Sequence, residues 1–470
     1  MTGLVKPCVT ERPAPWAVAA TLVARWFADR ARIDSLLDGL PPGLSGIERA
    51  RCQYLVLGVV RHAGRLEAAV NRLIAHPPRF VTRAVIFIAG FELIEAGGDL
   101  TPSDGLTPSD GLVPKIVHHA VDQARALASP AEARLVNAVL RRLAADLHSQ
   151  AAPARIAPAE ALAEYYSHPV WLVRRWLVQH GAEATRALLE WNQRPAPVYA
   201  RMRSPELGSA GVPPAVDGGT RQDAASTFKA TRWPGFFEVA SGHWPEVERL
   251  LKDGQIYLQD PVARLSVELL APVPGESVLD VCAAPGGKSL LIADRLAAAE
   301  AAGDKARSLL VAMDLPGERI TRLRENLATV RGVRVEVVEG DAMRGAAALL
   351  KERSLPVAYP AVLADVPCSN TGVMRHRADV KWRLQEGDFG RHARQQLALL
   401  AACARLVAPG GRLVYSTCSI DLEENEGVVA AFLKGAAGRF TLEKQEISYP
   451  WVTGHDGAGV FLLRAQGQRP

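Results

Sequence analysis

The sequence lacks an apolar run long enough to cross a membrane. A membrane-spanning helix needs about 18 or more consecutive apolar residues, and the strongest stretch, residues 84–91, ends at Glu92. Residues 16–24 could form the apolar core of a signal peptide, but the charged residues Arg25 and Asp29 end this stretch. The spacing of its apolar residues suits a surface helix. We therefore expect neither a membrane protein nor a signal peptide.

Cysteine is also scarce, with six residues in a chain of 470. That number is too small for a disulfide scaffold, and no cluster of cysteine and histidine has the spacing of zinc ligands. We expect a cytoplasmic setting, no metal ion, and burial of Cys8, Cys52 and Cys403 as small apolar side chains.

Neither sign of charge is in large excess, because 55 Lys and Arg against 50 Asp and Glu give a net charge of +5. Residues 1–155 hold 18 basic and 14 acidic residues, which leaves +4 there and +1 in the remainder. A modest basic excess suits a nucleic-acid partner, since Lys and Arg bind phosphate. A merely soluble, arginine-rich surface explains the charge equally well.

The chain is long enough for several domains, and its patterning predicts three. Apolar residues recurring every three or four positions predict an all-helical domain over 1–155, interrupted by a tandem repeat at 100–111 that we interpret as a surface loop. Residues 156–253 are predicted to form a linker domain with an insertion near 204–226, where we expect a mobile loop. Residues 254–470 are predicted to be the catalytic domain.

Five short β-branched runs follow in this last part, each ending in a polar or glycine-bearing turn. The runs are 277–281, 308–313, 333–338, 361–364 and 412–415. Such runs, alternating with helical stretches, predict a parallel sheet with crossover helices. Because ligands bind outside the carboxyl ends of these strands, the residues after each run are the candidates for chemistry.

The turn after the first run carries two glycines, which let the backbone approach a ligand closely. Asp314 ends the second run and Asp341 follows the third. These acids could bind ribose hydroxyls and an adenine amino group, or could simply cap helices. The turn lacks the glycine spacing of nicotinamide sites and P-loops. Two acidic residues that could recognise adenosine, beside a turn that lacks a phosphate-binding pattern, favour S-adenosylmethionine. This cofactor contains adenosine and a sulfonium cation, which nearby carboxylates would stabilise.

Cys368 follows the fourth run and Cys418 the fifth, in polar loops where a thiolate could be reactive. Carbon 5 of a pyrimidine becomes nucleophilic only after addition at carbon 6, and a thiolate suits that addition. A carboxyl group with a raised pKa could donate a hydrogen bond or proton to ring nitrogen 3, and Asp365 is the candidate. The alternative is that both cysteines merely pack.

Three strings in these loops strongly resemble the RNA cytosine-5 methyltransferases that use two cysteines: DVCAAPGGKS, DVPCSNTGVMRHRADVKW and YSTCSIDLEENE. The string VNAVLRR at 136–142 is similar to NusB-like RNA-binding domains, and the whole chain resembles bacterial 16S rRNA (cytosine-5)-methyltransferases of the B type. The resemblance implies an all-α NusB-like N-terminal domain, a small α+β linker domain and an α/β Rossmann-like methyltransferase domain. It also implies methyl transfer from S-adenosylmethionine to carbon 5 of a cytosine in RNA, above all small-subunit ribosomal RNA, through a covalent adduct.

The resemblance also implies roles for single residues. Cys418 would be the nucleophile, Cys368 would assist proton removal and product release, and Asp365 would hold the base and border the cofactor. The implied cofactor-binding residues are Cys282, Ala283, Ala284, Pro285, Gly286, Gly287, Lys288, Asp314, Asp341 and Asp365. The sulfur of Cys282 could instead only pack.

The sequence departs from the family pattern at three places. Asn370 stands where glycine is usual, Ser289 where threonine is common, and Arg201-Met202-Arg203 where Arg-Val-Asn is usual. The first two do not touch a reacting group, so we expect them to affect loop conformation rather than activity. The third departure changes residues for which contacts with RNA are expected.

RNA is the expected partner of a monomeric chain, because the methyl group can be delivered only to an unstacked base, as in an accessible loop. Four basic residues could contact phosphates along a rim, or form a solvated basic loop: Arg375, His376, Arg377 and Lys381. One rival is a DNA cytosine-5 methyltransferase, against which Cys418 argues. Another is a non-catalytic RNA-binding factor, which the intact cysteine pair and the acids disfavour.

Overall fold

A computed structural model describes residues 14–97, 111–203, 227–297 and 308–467. Cys8, nearly all of the tandem repeat and the insertion at 204–226 lie outside the described residues. Contacts between Cα atoms divide the chain into two units, Met1–Pro195 with Met374–Leu384, and Ala196–Val373 with Gln385–Pro470. The three-part division at 155 and 253 stays a prediction.

The first unit is helical, as the apolar spacing predicts. Its described helices are α1 (Pro15–Asp29), α2 (Ile33–Asp38), α3 (Gly46–Asn71), α4 (Phe80–Ala96), α5 (Leu112–Leu127), α6 (Pro130–Ser149), α7 (Ala159–Tyr165) and α8 (Val170–Gln193), together with the short helix Val380–Arg383. Helix α3 begins with a capping box, in which the side chains of Ser45 and Glu48 each accept a hydrogen bond from the other residue's backbone N–H. Trp26, Leu66 and Phe87 are buried in the shared core of these helices.

The second unit contains a small antiparallel sheet of order β2-β3-β1-β4. Its strands are β1 (Tyr199–Met202), β2 (Phe228–Ala230), β3 (Phe236–Val239) and β4 (Ile256–Leu258). Helix α9 (Trp244–Lys252) contributes Val247 and Leu250 to the core of this sheet. A small α+β element therefore precedes the large sheet, as expected.

The large sheet has seven strands in the order β10-β11-β9-β8-β5-β6-β7. They are β5 (Ser277–Val281), β6 (Leu309–Asp314), β7 (Arg334–Glu339), β8 (Tyr359–Asp365), β9 (Val407–Thr417), β10 (Phe440–Ser448) and β11 (Ala458–Ala465). Strands β5 to β9 are parallel, whereas β11 pairs antiparallel with both β9 and β10. All five predicted runs overlap β5 to β9.

Helices cover both faces of this sheet, which explains why its strands are apolar on both sides. The described helices are α10 (Ala263–Leu270), α11 (Gly287–Ala297), α12 (Glu318–Leu327), α13 (Ala346–Glu352), α14 (Asp388–Ala404), α15 (Glu426–Ala436) and α16 (Pro450–Thr453). On β5, Leu279 and Val281 join one buried cluster, and Val278 joins the other. The predicted fold class, a helical N-terminal region followed by a Rossmann-like mixed sheet, is confirmed. None of the helices in the described residues combines the length and apolar character needed to span a bilayer.

Candidate active site

The large sheet reverses its strand order between β5 and β8. From β5 the chain proceeds to one side through β6 and β7, and then returns to the other side as β8 and β9. The crevice outside the carboxyl ends of the strands at such a point is where open α/β sheets bind ligands. The turn after β5 and Asp365, the last residue of β8, both lie there.

The turn from β5 to α11 packs too closely to accept side chains at its glycines. Gly286 has a φ of +107°, and a Cβ atom there would lie 3.0 Å from a Leu323 methyl carbon. A Cβ atom at Gly287 would lie 2.9 Å from Gln259 Nε2 and 3.0 Å from the Tyr257 ring. The positive φ favours glycine at position 286, and a side chain at position 287 would displace Gln259 or Tyr257.

Side chains from elsewhere in the chain hold this turn in place. The backbone N–H of Ala284 donates to Asp314 Oδ2 at 2.7 Å. Asn326 Nδ2 donates to the Pro285 carbonyl oxygen at 2.7 Å, and Arg319 donates to the carbonyl oxygen of Ala284. The sequence did not identify Asn326 and Arg319, because α12 meets the turn only in the folded chain.

Asp341 lies in the next turn, after β7. Its Oδ1 accepts a hydrogen bond from the backbone N–H of Met343 at 2.9 Å, so the carboxylate shapes its own turn. The backbone N–H of the preceding Gly340 donates to the Asp314 carbonyl oxygen at 2.9 Å. The structure thus joins the two acid-bearing turns, while their contacts with a cofactor stay predictions.

Lys288 and Asp365, predicted from separate motifs, form an ion pair. Lys288 lies in the first turn of α11, and its Nζ also donates to Ser416 Oγ of β9 at 3.2 Å. Three strand ends therefore meet at one ammonium group. Ser416 was not predicted, since its hydroxyl is indistinguishable in the sequence from any polar residue at a strand end.

Asp280 lies on β5, before Lys288 in the sequence, and its carboxyl group is buried. Ser289 Oγ donates to its Oδ2 at 2.5 Å. The pKa of Asp280 is raised to about 7 as the net result of several effects. Burial is the largest and raises the pKa, the hydrogen bond from Ser289 lowers it, and the negative charge of Asp365 raises it. The departure at Ser289 keeps the hydroxyl group that threonine would supply.

The two predicted cysteines lie together. The Sγ atoms of Cys368 and Cys418 are 3.1 Å apart, within hydrogen-bond range for sulfur. Cys368 is buried and Cys418 is partly exposed. The hydrogen bond to Cys418, followed by burial, raises the pKa of the Cys368 thiol well above its ordinary value. Both causes favour the protonated form of Cys368.

Cys52 and Cys403 are packing residues, as the sequence predicts, whereas the role of Cys282 in the cofactor turn stays a prediction. Cys52 and Cys403 are buried, and burial raises their pKa values to about 11 and about 12. Burial also raises the pKa of Cys282 well above its ordinary value. A thiol of high pKa surrounded by apolar atoms is a poor nucleophile, which leaves Cys418 as the reactive candidate among the described cysteines.

A buried hydrogen-bond network joins the two cysteine loops. Thr371 Oγ1 donates to Asp421 Oδ2 at 2.6 Å and accepts from the backbone N–H of Ile420 at 3.1 Å. The hydroxyl groups of Ser369 and Ser419 are 3.2 Å apart. All these groups are buried, so the network fixes the spacing of the loops that carry the two sulfurs.

The buried carboxylate of Glu424 also holds the cysteine loops in place. Its carboxylate accepts hydrogen bonds from the backbone N–H of Ser369 at 2.9 Å and from Gln396 Nε2 at 3.0 Å. Burial acts to raise the pKa of Glu424, but hydrogen bonds from His392, Ser369 and Ser419 outweigh it and hold the pKa below its ordinary value. The sequence did not identify Glu424 as a functional residue.

Asn370 adopts the backbone conformation for which glycine is the usual residue. Its φ is +63°, a left-handed value that asparagine tolerates better than most residues. Asn370 Nδ2 donates to the Cys368 carbonyl oxygen at 2.8 Å, and the Cys418 thiol donates to Asn370 Oδ1 at 3.3 Å. The expectation that Asn370 touches no reacting group is therefore wrong, because its side chain contacts both cysteine residues.

The prediction that Lys381 could contact RNA phosphates is wrong. In the first unit this side chain is 1% exposed, and its Nζ donates to the Arg61 carbonyl oxygen at 2.8 Å. Burial lowers the pKa of Lys381 well below its ordinary value, and a phosphate group cannot reach it. His376 and Arg377 are exposed, and Arg375 lies partly buried against a tryptophan ring, so their contacts with RNA stay predictions.

The Arg201-Met202-Arg203 segment is structural rather than exposed. Arg201 Nη1 and Arg203 Nη2 lie 2.6 Å and 3.0 Å from the two carboxylate oxygens of Asp294. Arg201 is 3% exposed. These arginines connect strand β1 of the small sheet to helix α11 of the large sheet, and the pattern departure at this point does not present a basic surface.

Comparison with known proteins gives matches over most of the chain. A family model described as 16S rRNA methyltransferase RsmB/F matches residues 267–451. The chain is 32% identical over 420 residues to ribosomal RNA small subunit methyltransferase B of Sodalis glossinidius, covering 88% of each chain. It is 30% identical to the protein of the same name from Klebsiella pneumoniae, covering 89% of each. The crystal structure of PH0851 shares the fold with a TM-score of 0.70 at 20% identity, over 98% of this chain and 100% of that one.

Proposed function

Because this chain belongs to the ribosomal RNA small subunit methyltransferase B family, we propose that it methylates carbon 5 of a cytosine through a covalent adduct with Cys418. The membership makes it an RNA methyltransferase that acts on small-subunit ribosomal RNA. The choice of cytosine, of carbon 5 and of a covalent route is the proposal.

The observation that carries the proposal is the pair of sulfurs 3.1 Å apart, following the carboxyl ends of two adjacent parallel strands. Methylation at carbon 5 needs a nucleophile at carbon 6 and, later, help in removing the proton from carbon 5. Two thiols of unequal exposure supply one group for each task. A methyltransferase that acts on an amino group needs neither thiol.

The residues near the point where the strand order reverses, between β5 and β8, have the chemistry needed to bind S-adenosylmethionine. The carboxylates of Asp314 and Asp341 can accept hydrogen bonds from hydroxyl and amino groups, and the tightly packed glycine turn presents backbone rather than side chains. When bound, the cofactor supplies an electrophilic methyl group attached to a sulfonium. Lys288, Asp365 and the turn at 282–288 would border it.

Cys418 acts as the nucleophile. Its sulfur is partly exposed, so a flipped pyrimidine can reach it, and it adds to carbon 6 of the ring. Asp365 holds the base at ring nitrogen 3 as the neutral acid, because only a carboxyl O–H can donate a hydrogen bond where negative charge develops. Lys288, the ion-pair partner of Asp365, orients that carboxyl group and can pass it the proton.

Cys368 acts after methyl transfer. Before addition, the hydrogen bond to Cys418 and burial raise the pKa of Cys368, so this thiol does not compete for the base. After methyl transfer, Cys368 takes the proton from carbon 5 as its thiolate, its own thiol proton having passed to solvent. The electrons of the broken carbon–hydrogen bond re-form the ring double bond, and the Cys418 sulfur leaves as a thiolate.

The two cysteines can be separated by substitution. Cys418→Ala should abolish both methyl transfer and adduct formation, because it removes the attacking atom. Cys368→Ala should permit attack and methylation but slow release, so that a protein–RNA species survives denaturing electrophoresis. The measurement is incubation with protein-free 16S rRNA and methyl-labelled S-adenosylmethionine, followed by gel analysis and nucleoside mass spectrometry.

Cys403→Ala is the matched control, since it removes a cysteine that is buried in the core away from the loops. It should retain turnover and leave no stable adduct. Accumulation of the adduct in Cys418→Ala, with unchanged turnover in Cys368→Ala, would reverse the assigned roles. A methylated nucleoside other than 5-methylcytidine would reject the cytosine-5 proposal while leaving the family membership intact.

The target base is proposed to lie in an accessible RNA loop, because the ring must leave its stack to reach Cys418. Residues 1–155 are proposed to bind that RNA as a NusB-like domain, with 156–253 as linker and 254–470 as catalytic domain. A reducing cytoplasm suits an enzyme that depends on two free thiols.

A further inference from the structure

The sulfurs of the cysteine pair are close enough for a second kind of chemistry. Their Sγ atoms lie 3.1 Å apart, and a disulfide bond measures about 2.05 Å. Closing the gap therefore requires about 1 Å of movement, which small rotations of two side chains can share. Both residues are free cysteines.

The surrounding loops keep the two sulfurs together. The backbone N–H of Gly372 donates to the Cys418 carbonyl oxygen at 3.0 Å, directly joining the two loops. The hydroxyl groups of Ser369 and Ser419, one residue beyond each cysteine, are 3.2 Å apart. Groups held in place in this way react with a high effective concentration, so one sulfur faces the other whenever either is oxidised.

The two cysteines differ in their access to solvent. Cys418 is partly exposed, whereas Cys368 is buried. A small oxidant therefore reaches Cys418 first. An accessible cysteine with a second thiol beside it is the arrangement in which a sulfenic acid is resolved to a disulfide before further oxidation.

We propose that Cys368 and Cys418 form a reversible disulfide when the protein meets a hydroperoxide. With hydrogen peroxide, the Cys418 sulfur attacks one oxygen, the O–O bond breaks, and a sulfenic acid and one water form. The Cys368 sulfur then attacks the sulfenic sulfur, the S–O bond breaks, and the hydroxyl group leaves with the Cys368 thiol proton as a second water. Each cysteine loses one electron, and the peroxide gains two. A thiol reductant returns both cysteines to the reduced state by exchange.

The disulfide also has a consequence for activity, and this part rests on the proposed function. While the bond exists, the Cys418 sulfur cannot add to a base, so methyl transfer stops until the bond is reduced. The bond also protects Cys418 from the sulfinic and sulfonic states, which cellular thiols cannot reverse.

The experiment treats the full chain with hydrogen peroxide, blocks remaining thiols with N-ethylmaleimide and analyses the digest by mass spectrometry. We expect a peptide pair joined through Cys368 and Cys418 that disappears on reduction with dithiothreitol. Methyl transfer to 16S rRNA should fall at least about tenfold with the joined peptide and recover after reduction. Two added oxygens on Cys418 in the wild type, without a joined peptide, would overturn the proposal.

Two variants sharpen the experiment. In Cys368→Ser, the sulfur of Cys418 lacks its resolving partner and should gain oxygen atoms that dithiothreitol does not remove. Cys403→Ala should still yield the joined peptide, because Cys403 is buried elsewhere in the sheet core. A joined peptide in a protein that methylates no RNA would reject the proposed function and keep the disulfide. A joined peptide with full activity would overturn the effect on activity.

Discussion

Asp280 is a carboxyl group enclosed among apolar strands, with a single hydroxyl donor, Ser289, on one of its oxygens. Among the described residues its second oxygen has no hydrogen-bond partner. Burial without full solvation favours the neutral acid, which explains why the pKa of this residue lies near 7 rather than near its ordinary value of 3.8.

The raised pKa predicts a pH-dependent contribution to stability. The folded state holds the Asp280 proton more tightly than the unfolded state, so the stabilisation is fully present below about pH 4 and is lost as the pH rises through about 7. A difference of about three pKa units corresponds to roughly 4 kcal/mol at most. Asp280→Asn does not titrate, so the melting temperature of the variant minus that of the wild type should increase between pH 5.5 and pH 8.5.

Thermal melts at several pH values test this prediction. The exposed Asp253 provides the control, because Asp253→Asn should give a melting difference that changes little over the same range. A constant difference between Asp280→Asn and the wild type would contradict the prediction, since it would mean that the buried carboxyl group does not titrate between these pH values.

Asn370 shows how a departure from a family pattern can be conservative. Glycine is usual there because the backbone is left-handed, and asparagine is among the residues that adopt this conformation at low cost. The side chain that glycine lacks is used twice, on the Cys368 carbonyl oxygen and on the Cys418 thiol. From the sequence alone only the change of residue type was visible.

At the scale of elements, the loops after β8 and β9 behave as one unit. Each loop is short, and the strands β8 and β9 that precede them are parallel neighbours. The buried network through Thr371, Asp421 and Glu424 then joins the loops so that neither cysteine moves independently. Buried polar networks of this kind specify one geometry because every unmet hydrogen bond is costly.

Thr371→Val tests this network at nearly constant side-chain volume. The change removes the hydroxyl group that donates to the Asp421 carboxylate and accepts from the Ile420 N–H, at a cost of roughly 2 to 4 kcal/mol. We expect the melting temperature of the catalytic unit to fall by about 5 °C or more, and single-turnover adduct formation to slow because the sulfurs are less well held.

Thr441→Val is the matched control, since Thr441 is exposed on β10. It should leave both the melting temperature and the rate of adduct formation close to wild type. An equal effect of the two substitutions would show that the buried network does not determine the geometry of the cysteine pair.

At the scale of the second unit, two ion pairs join the small sheet to a helix that packs against the large sheet. Arg201 and Arg203 on and after β1 share Asp294 on α11. Burial lowers the pKa of Arg201, although the charge of Asp294 opposes this effect. Two nearly buried cations depend on a single carboxylate, so the contact is a vulnerable point of the fold.

Asp294→Asn removes that charge without a large change in volume. Breaking a buried pair by removing one partner costs about 3 to 5 kcal/mol, and here two arginines lose their partner. We expect the apparent melting temperature of the catalytic unit to fall by several degrees. Glu268→Gln, which removes a more exposed pair with Arg264 on the surface of α10, should change it by about 1 kcal/mol or less. Similar effects of both substitutions would contradict the distinction.

The sequence by itself determined many of the elements and singled out the candidate reacting groups. Apolar periodicity depends only on neighbours along the chain, so the helical first part and the strands β5 to β9 were predictable. The cysteines, Asp365 and the glycine turn could be chosen as candidates because their chemistry is unusual for residues at strand ends. Parallel strands bring such ends together whatever the details of packing.

The tertiary structure alone decided which side chains meet and which are buried. Nothing in the sequence distinguishes Lys381, enclosed by the helical unit, from the exposed Arg377 four residues earlier. Asp280 and Glu424 became buried acids only when strands and loops distant in the chain closed around them. Burial and partners arise from long-range packing, and these two factors set the charge state and reactivity of a side chain.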